Sequence, residues 1–373
     1  MTRLIEVLIS LAIVLGLFLV IAIVLPSSRH LNQKVETNRK LTIVYDTLDS
    51  VRRFKDWNPL LLHDPKMQIK LSGPPSGVGA QLDYTSKEPA LGNGRWKIVA
   101  DEPGKSVTYE ITNPQRGSNK RSVFTFRPTG HAGRNIEITQ SYDVDYGWDL
   151  LGRYAGMYVV SHVGDDMKLG LERLTNMLAS VPNVDYRQAG TKLAGLRVVD
   201  MPVEDLLVVS AGSIERNPDK IEASIKANLE WIKRSMEASG LIAAGPLRII
   251  STEVGSNTYT FDVVQSVRRG GAAAGATPAA TTTPAAAPAA ATGPMTGLKL
   301  QGPVKYVQTK AHRAVTASYT GYQGELESQR NALRAWALTQ GLEITDRPYE
   351  SYRNGVDQAF TENGQFDVYW DIK

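Results

Sequence analysis

Residues 206–251 read LLVVSAGSIERNPDKIEASIKANLEWIKRSMEASGLIAAGPLRIIS, and residues 312–353 read HRAVTASYTGYQGELESQRNALRAWALTQGLEITDRPYESYR. The two stretches follow one plan. An apolar run leads to a Gly-containing turn (Gly212, Gly321), then to an amphipathic helix stopped by Gly-Leu (Gly240-Leu241, Gly341-Leu342). A Pro-led strand follows (Pro246, Pro348), and then a last strand carrying Phe-Asp-Val, at Phe261, Asp262 and Val263 and again at Phe366, Asp367 and Val368. Ile221, Ile225, Leu229 and Ile232 form the helical stripe of the first copy, and Leu326, Leu333 and Trp336 that of the second. Such an internal repeat predicts a duplicated β-α-β-β unit. One copy alone leaves a sheet face bare. Two copies can cover each other, share a core and leave a groove on the pseudo-twofold axis. The expected domain is residues 196–373, with repeats at 196–268 and 301–373.

On the final strand, alternation sets Phe366, Val368, Trp370 and Ile372 on one face and Asp367, Tyr369 and Asp371 on the other. The apolar set is expected to pack on the helices. The second face then meets either the groove or water. By repeat symmetry Thr260 and Asp262 hold the matching face of the first copy, and Tyr352 and Tyr319 are candidate additional walls. A carboxylate beside tyrosines suits a cationic or hydrogen-bonding aromatic ligand. The motif SYTGYQGELES…ALRAWALTQGLEITDRPYESY…FDVYWDI resembles the second half of the GyrI-like, or AraC-type, effector-binding domain. In that family the last strand carries a Glu, a polar residue two positions later, and then a Pro. Asp367, Tyr369 and Asp371 stand at the equivalent positions, so the carboxylate has a shorter reach and the Pro is missing. No helix-turn-helix segment adjoins the domain, so DNA binding is not expected.

Between the copies, residues 270–297 read GGAAAGATPAATTTPAAAPAAATGPMTG, without a single charge. Pro278, Pro284, Pro288 and Pro294 break any helix that the alanines would favour, and a disordered insert is expected.

Upstream, strand-like runs alternate with turn residues: MQIKLSG, AQLDYTSK, GRWKIVADE, SVTYEIT, RSVFTFRP and NIEITQSYDV. They precede DDMKLGLERLTNMLASV, whose Met167, Leu169, Leu171, Leu174 and Met177-Leu178 are expected to form a helical apolar stripe. A curved antiparallel sheet around one long C-terminal helix is the economical packing. Asp165-Asp166 reads most simply as the N-terminal cap and dipole partner of that helix. The order of a helix at residues 51–57, then WNPLLLHDPKM, SGPPSGVGAQLDY, GNGRWKIV, FTFRPTG and GLERLTNML, resembles the SRPBCC (START-like, polyketide-cyclase-like) helix-grip superfamily over residues 35–182. The resemblance implies a hydrophobic cavity between sheet and helix, and no single reaction. Trp57 is expected at the cavity mouth, with a core-plugging aromatic as the alternative. His63, Asp64, Asp101, His131, His162, Asp165 and Asp166 are available, but none falls into HExxH, a paired-His spacing or a nucleophile elbow. No catalytic or metal-binding residue and no cofactor is therefore assigned.

The chain opens differently. Residues 7–25, VLISLAIVLGLFLVIAIVL, contain Ser10 as their only polar side chain, and Pro26 ends the run. About twenty apolar residues cross a ~30 Å hydrocarbon core, so residues 1–27 are expected to be an uncleaved anchor, with 4–25 in lipid. A cleaved signal peptide fits less well, since the run is long and no small-x-small site follows. Arg3 precedes the run, while Arg29, Lys34, Arg39 and Lys40 follow it. The positive-inside count leans toward a cytoplasmic bulk, although a short N-terminal tail leaves the side open. The expected setting is the cell (inner) membrane of a bacterium, crossed once.

With 42 Lys+Arg against 38 Asp+Glu in 373 residues, a net charge of +4 gives no ground for nucleic-acid binding. The absence of Cys excludes disulfides, thiolate metal sites and a Cys nucleophile. The fold class expected is α+β: a transmembrane helix, a helix-grip antiparallel sheet domain and a pseudo-twofold duplicated effector-binding domain. Three functions compete. The first is a membrane-anchored binding protein for a hydrophobic or aromatic small molecule, cationic ones included. The second is an enzyme, a cyclase of SRPBCC type or a hydrolase derived from an effector domain. The third is a signalling or interaction module. The first needs only the features already named, and the sequence points to no protein partner.

Overall fold

The computed structural model describes residues 2–187, 192–270 and 293–373. Two compact units are formed, one over residues 2–183 together with 339–341, and one over residues 184–338 and 342–373. Residues 271–292, the greater part of the charge-free tract, lie outside the described residues.

The first unit begins with α1 (Thr2–Val24), followed by β1 (Ser28–Thr37) and the short helices α2 (Leu41–Leu48), α3 (Phe54–Trp57) and α4 (Leu60–His63). Six strands succeed them: β2 (Gln68–Ser72), β3 (Gln81–Thr85), β4 (Asn93–Glu102), β5 (Ser106–Thr112), β6 (Ser118–Thr129) and β7 (Asn135–Asp145). All match the apolar alternations of the sequence. Helices α5 (Leu150–Ala155) and α6 (Val159–Ala179) close the unit. The seven strands form one antiparallel sheet in the order β1-β7-β6-β5-β4-β3-β2. Leu171, Leu174 and Leu178 of α6 are buried, and Met167 packs on Ile111, Tyr142 and Val144 of the sheet.

Two expectations need correction here. The helix sought at residues 51–57 is only its last turn, α3, and the longer helix is α2. Residues Ile43 to Leu48 are all buried, so tertiary burial overrides the β-branched character of that stretch. The first strand, β1, begins at Ser28, ahead of residue 35 where the helix-grip resemblance starts. Asp165 and Asp166 do not cap α6, which starts at Val159 and carries them in its second turn.

In α1, residues 3–24 are long and apolar enough to cross a membrane. Its apolar side chains are exposed along nearly the whole length, and Ala22 is buried.

The second unit contains β8 (Leu193–Met201), β9 (Asp205–Glu215), α7 (Pro218–Ser239), β10 (Leu241–Val254), β11 (Thr258–Arg269), β12 (Lys305–Gln308), β13 (His312–Thr320), α8 (Leu326–Thr339), β14 (Tyr349–Tyr352), α9 (Val356–Ala359) and β15 (Gln365–Ile372). Its antiparallel sheet runs β12-β9-β11-β10-β14-β15-β13-β8. Asn217 caps α7 by accepting from the amides of Asp219 and Lys220, Pro218 occupies the first turn, and Gly240 ends the helix in the left-handed conformation at φ 63°. Pro246 does not lead a strand. It sits inside β10, where the register with β11 shifts between Ala243 and Leu247, the kind of irregularity that tolerates a missing N–H. Ile221, Ile225 and Ile232 of α7 and Leu326 and Leu333 of α8 share one core with Phe261, Val263, Phe366, Val368 and Ile372. Residues 293–297, counted within the expected disordered insert, are held: the Met295 amide donates to Tyr306 Oη at 2.8 Å and the Met295 side chain packs on the core.

Candidate functional site

Between the first sheet and α6 lies a cavity of about 750 Å³, measured with its open mouth. Its walls are aromatic and apolar: Trp57, Tyr84, Trp96, Ile111, Tyr142, Val163 and Met167 among them. The wall residues arise from local alternation. Tyr84, Trp96, Ile111 and Tyr142 belong to β3, β4, β5 and β7, and Tyr84 and Tyr142 are buried. Trp57 ends α3, and the Arg173 guanidinium of α6 donates to the carbonyls of Asp56 (2.9 Å) and Trp57 (3.3 Å), fixing that turn. Gly170 lets α6 approach: a Cβ there would stand 3.2 Å from Pro59 and 3.8 Å from the Trp57 ring. At β4, Gly94 lies under the Tyr84 ring, where any Cβ would overlap it.

Asn58, His63, Asn113, Gln115, Gln140 and Asp166 add polar groups to the lining, and two of the lining side chains are incompletely paired. Gln140 Nε2 donates to Ser122 Oγ at 3.0 Å, while its Oε1 is buried without a protein donor. Trp57 Nε1 is likewise buried without an acceptor, in a side chain that is 1% exposed. Buried polar atoms are normally satisfied, so each such atom asks for a partner. Burial, with Tyr146 adding to it, pushes the Tyr142 phenol well above its ordinary pKa, and it stays a neutral hydroxyl at physiological pH. On the rim, His63 Nε2 of α4 lies 3.0 Å from Asp166 Oδ1 of α6, both side chains half exposed.

Trp57 therefore lines the cavity and is at the same time a core aromatic, packed edge-on against Phe54 and Phe124. The other sequence-derived candidates belong to the second unit. Asp367 and Tyr369 stand on the sheet face away from the helices, as does Asp262 on β11. Asp367 accepts from Ser318 Oγ at 2.7 Å and has Arg353 Nε at 3.7 Å. Asp262 has Arg347 Nη1 at 3.9 Å. Tyr369 stacks on Tyr349 with centroids 4.8 Å apart and rings 6° from parallel. The cation that these tyrosines attract is the protein's own: Arg248 lies 5.9 Å over Tyr349 and is held in a bidentate pair by Glu204 at 2.6 and 2.8 Å. Tyr352 and Tyr319 do not join this face. Register pairs both with Phe366, whose ring they pack against in the helix-side core, and they are 2% and 1% exposed.

On that helix side a second cavity, about 540 Å³ with its mouth, is lined by Arg216, Ile221, Tyr259, Gln323, Glu327 and Arg330. Beside it lies the ion pair of Arg330 with Glu350, the latter fully buried. Among the described residues, no three His, Asp or Glu side chains converge as a metal ion would require.

His63 and Asp166 stand 103 residues apart in the chain, so no motif in the sequence joins them. Gln140 and Glu350 belong to no sequence motif either. The signal for Glu350 was present: in PYESY it alternates with Tyr349 and so must share the face of Tyr352.

No protein-family model matches the chain, and no curated protein matches it in sequence. Among solved structures it is similar to truncated norcoclaurine synthase from Thalictrum flavum, at 12% identity over 41% of this chain and 94% of that one, with a TM-score of 0.33. It is similar to the EcmrR C-terminal domain at 14% identity over 48% and 97% of the two chains, TM-score 0.36. Protein Ms6760 from Mycobacterium smegmatis is similar at 16% identity over 40% and 91%, TM-score 0.29.

Proposed function

We propose that the chain is a membrane-anchored binding protein for a hydrophobic or aromatic small molecule, held in the cavity of the first unit. The observation that carries this reading is an open-mouthed cavity walled by Trp57, Tyr84, Trp96 and Tyr142, with Gln140 in its lining. A ligand with an apolar body and a hydrogen-bonding group such as a hydroxyl matches that mixed lining. In this reading residues 35–182 are a helix-grip domain, residues 196–373 are the duplicated β-α-β-β domain, and α1 is the anchor. The strand order of the second sheet supports the duplication, since β9-β11-β10 mirrors β13-β15-β14 about the β10-β14 pair.

The test is calorimetric titration of the full chain in lipid nanodiscs with hydroxylated aromatic compounds and their hydrocarbon analogues. Gln140→Leu should weaken the hydroxylated ligand by about 0.5–1.5 kcal/mol and leave the hydrocarbon unchanged. Equal losses for both, or none for either, would remove Gln140 from the site. One observation favours a second reading as an enzyme. His63 oriented by Asp166 on the rim is the arrangement of a general base. Turnover of a bound ligand, lost in His63→Asn with binding retained, would establish it.

A further inference from the structure

The end of α1 is not left to solvent. Arg153 of α5 donates through Nη1 to the carbonyls of Ala22 (3.3 Å), Ile23 (2.9 Å) and Leu25 (3.3 Å), acceptors that a helix C-terminus otherwise leaves open. Its Nε and Nη2 donate to Gly147 O at 2.9 and 2.7 Å, so the guanidinium also fixes the turn before α5. Tyr154 Oη donates to Phe18 O at 2.9 Å, and the two rings stack at 4.5 Å. A cation at this position also suits the negative end of the α1 dipole. These contacts set the depth of α5. Phe18 lies six residues before Val24, so α5 reaches about 9 Å back along α1 at ~1.5 Å per residue.

The outer side of this segment is apolar. Trp148 is 81% exposed, Leu151 53%, Met157 52%, Tyr158 64% and Val160 59%. Leu151 and Tyr158 fall on one stripe of a backbone that stays helical from α5 through residues 156–158 into α6, and Trp148 extends that stripe before the Asp149 cap. Arg153 lies 5.5 Å over the Trp148 ring, tying the most exposed aromatic to the group that caps α1. Residues 3–24 measure about 33 Å at ~1.5 Å rise, against a ~30 Å hydrocarbon core. With α1 across the bilayer, its last turns stand at the hydrocarbon–headgroup boundary, and α5 is fastened beside them. Trp and Tyr favour that zone, having an apolar body and a polar tip.

We infer that the segment from Trp148 to Val160 is a second membrane contact, an interfacial helix lying at the hydrocarbon–headgroup boundary beside the transmembrane helix. The inference rests on the anchor reading of α1, and its occupant is lipid. Because the chain has no Cys, single introduced thiols can be labelled without background. Leu15→Cys reports the middle of α1, Leu151→Cys the proposed interface, and Val78→Cys an exposed site elsewhere in the same unit. Each full-length variant is labelled with an environment-sensitive fluorophore and reconstituted in phosphatidylcholine vesicles carrying spin labels at shallow or deep positions. The expected result is deep quenching at 15, shallow quenching with blue-shifted emission at 151, and aqueous emission at 78. If position 15 is quenched and 151 is aqueous, the interfacial contact is wrong while the anchor stands. If 151 is shielded from water yet unquenched by lipid-borne labels, a protein covers it and the inference is overturned. If position 15 itself escapes quenching, the anchor reading fails and the inference falls with it.

Discussion

Replacing Glu350 by Gln should damage the second unit more than any change on its exposed surface. Glu350 is fully buried on β14, and Arg330 of α8 is 6% exposed. The guanidinium grips the carboxylate with two parallel donors, Nε to Oε1 and Nη2 to Oε2, the second at 3.0 Å. Arg330 also donates to Tyr259 Oη at 3.3 Å, which exchanges a hydrogen bond with Ser251 Oγ at 2.8 Å. Burial works against the Arg330 charge, but Glu350 and Tyr259 outweigh it and raise its pKa further above the ordinary arginine value. Arginine's intrinsic pKa lies so far above neutrality that the charge persists when the carboxylate is removed, leaving a buried cation without its counter-ion. Breaking such a pair from one side costs about 3–5 kcal/mol. For a unit of this size that lowers the melting temperature by roughly 6–20 °C, at ~2–4 °C per kcal/mol. The double variant Arg330→Met/Glu350→Leu removes both charges and should return to within about 1 kcal/mol of wild type or exceed it. Scanning calorimetry and urea unfolding of wild type, both single variants and the double variant give the coupling energy directly. A Glu350→Gln protein melting within about 2 °C of wild type would show that water reaches the pair as it does an exposed one worth ~0–1 kcal/mol. A double variant as damaged as the singles would refute the argument from the other direction.

Three further outcomes follow from particular contacts. Gly94→Ala should cost about 1–3 kcal/mol by overpacking, because its Cβ overlaps the Tyr84 ring, and should alter ligand affinity by moving a cavity wall; unchanged denaturation and binding would contradict both. Asn217→Ala should lose about 1 kcal/mol by leaving the Asp219 and Lys220 amides uncapped, whereas Asn217→Gly should lose only a few tenths, and equal losses in chemical denaturation would argue against capping. Asp371 has its carboxyl pKa raised, chiefly by burial, with the charge of His312 opposing. The folded state thus holds this proton more tightly than the unfolded chain, and its stability contribution is lost as pH rises from about 3.9 through the folded value. Asp371→Asn should lack that slope, so the melting temperatures of variant and wild type should diverge in the variant's favour between acid and neutral pH, and a constant difference would disprove the assignment.

The strands of the first unit were legible because β3, β5, β6 and β7 alternate buried and more exposed positions, while β2, with no buried residue, was marked by its alternation and flanking turn residues. MQIKLSG through NIEITQSYDV alternate with period two, and the structure puts β2 to β7 on them. The stops of α7 and α8 were legible too, since Gly240 and Gly341 adopt positive φ. What local pattern could not show is assembly. The start of α6 was misplaced by six residues because Asp-Asp looks like a cap, while Val159, Val160 and Val163 carry too little helix propensity to announce the turns before it. Tyr319 and Tyr352 were assigned to the wrong face although Phe366, opposite both in register, was assigned to the right one. Pairing between strands, unlike alternation within one, is not written in any single segment. The first-unit cavity draws on α3, α4, α6 and several strands, so no spacing reveals it.

Only Leu25, Pro26 and Ser27 separate α1 from β1. Fully extended, such a connection spans about 11 Å at ~3.6 Å per residue. Domains on long flexible leashes sweep a hemisphere and can reach cargo far from their point of attachment. A leash this short abolishes the sweep. In the proposed function, with α1 seated in a bilayer, the first unit patrols a thin sheet of solution hugging the lipid, and its search for a ligand is two-dimensional. Compounds that partition into lipid arrive already concentrated in that sheet, whereas freely soluble ones meet the protein no more often than their bulk dilution allows.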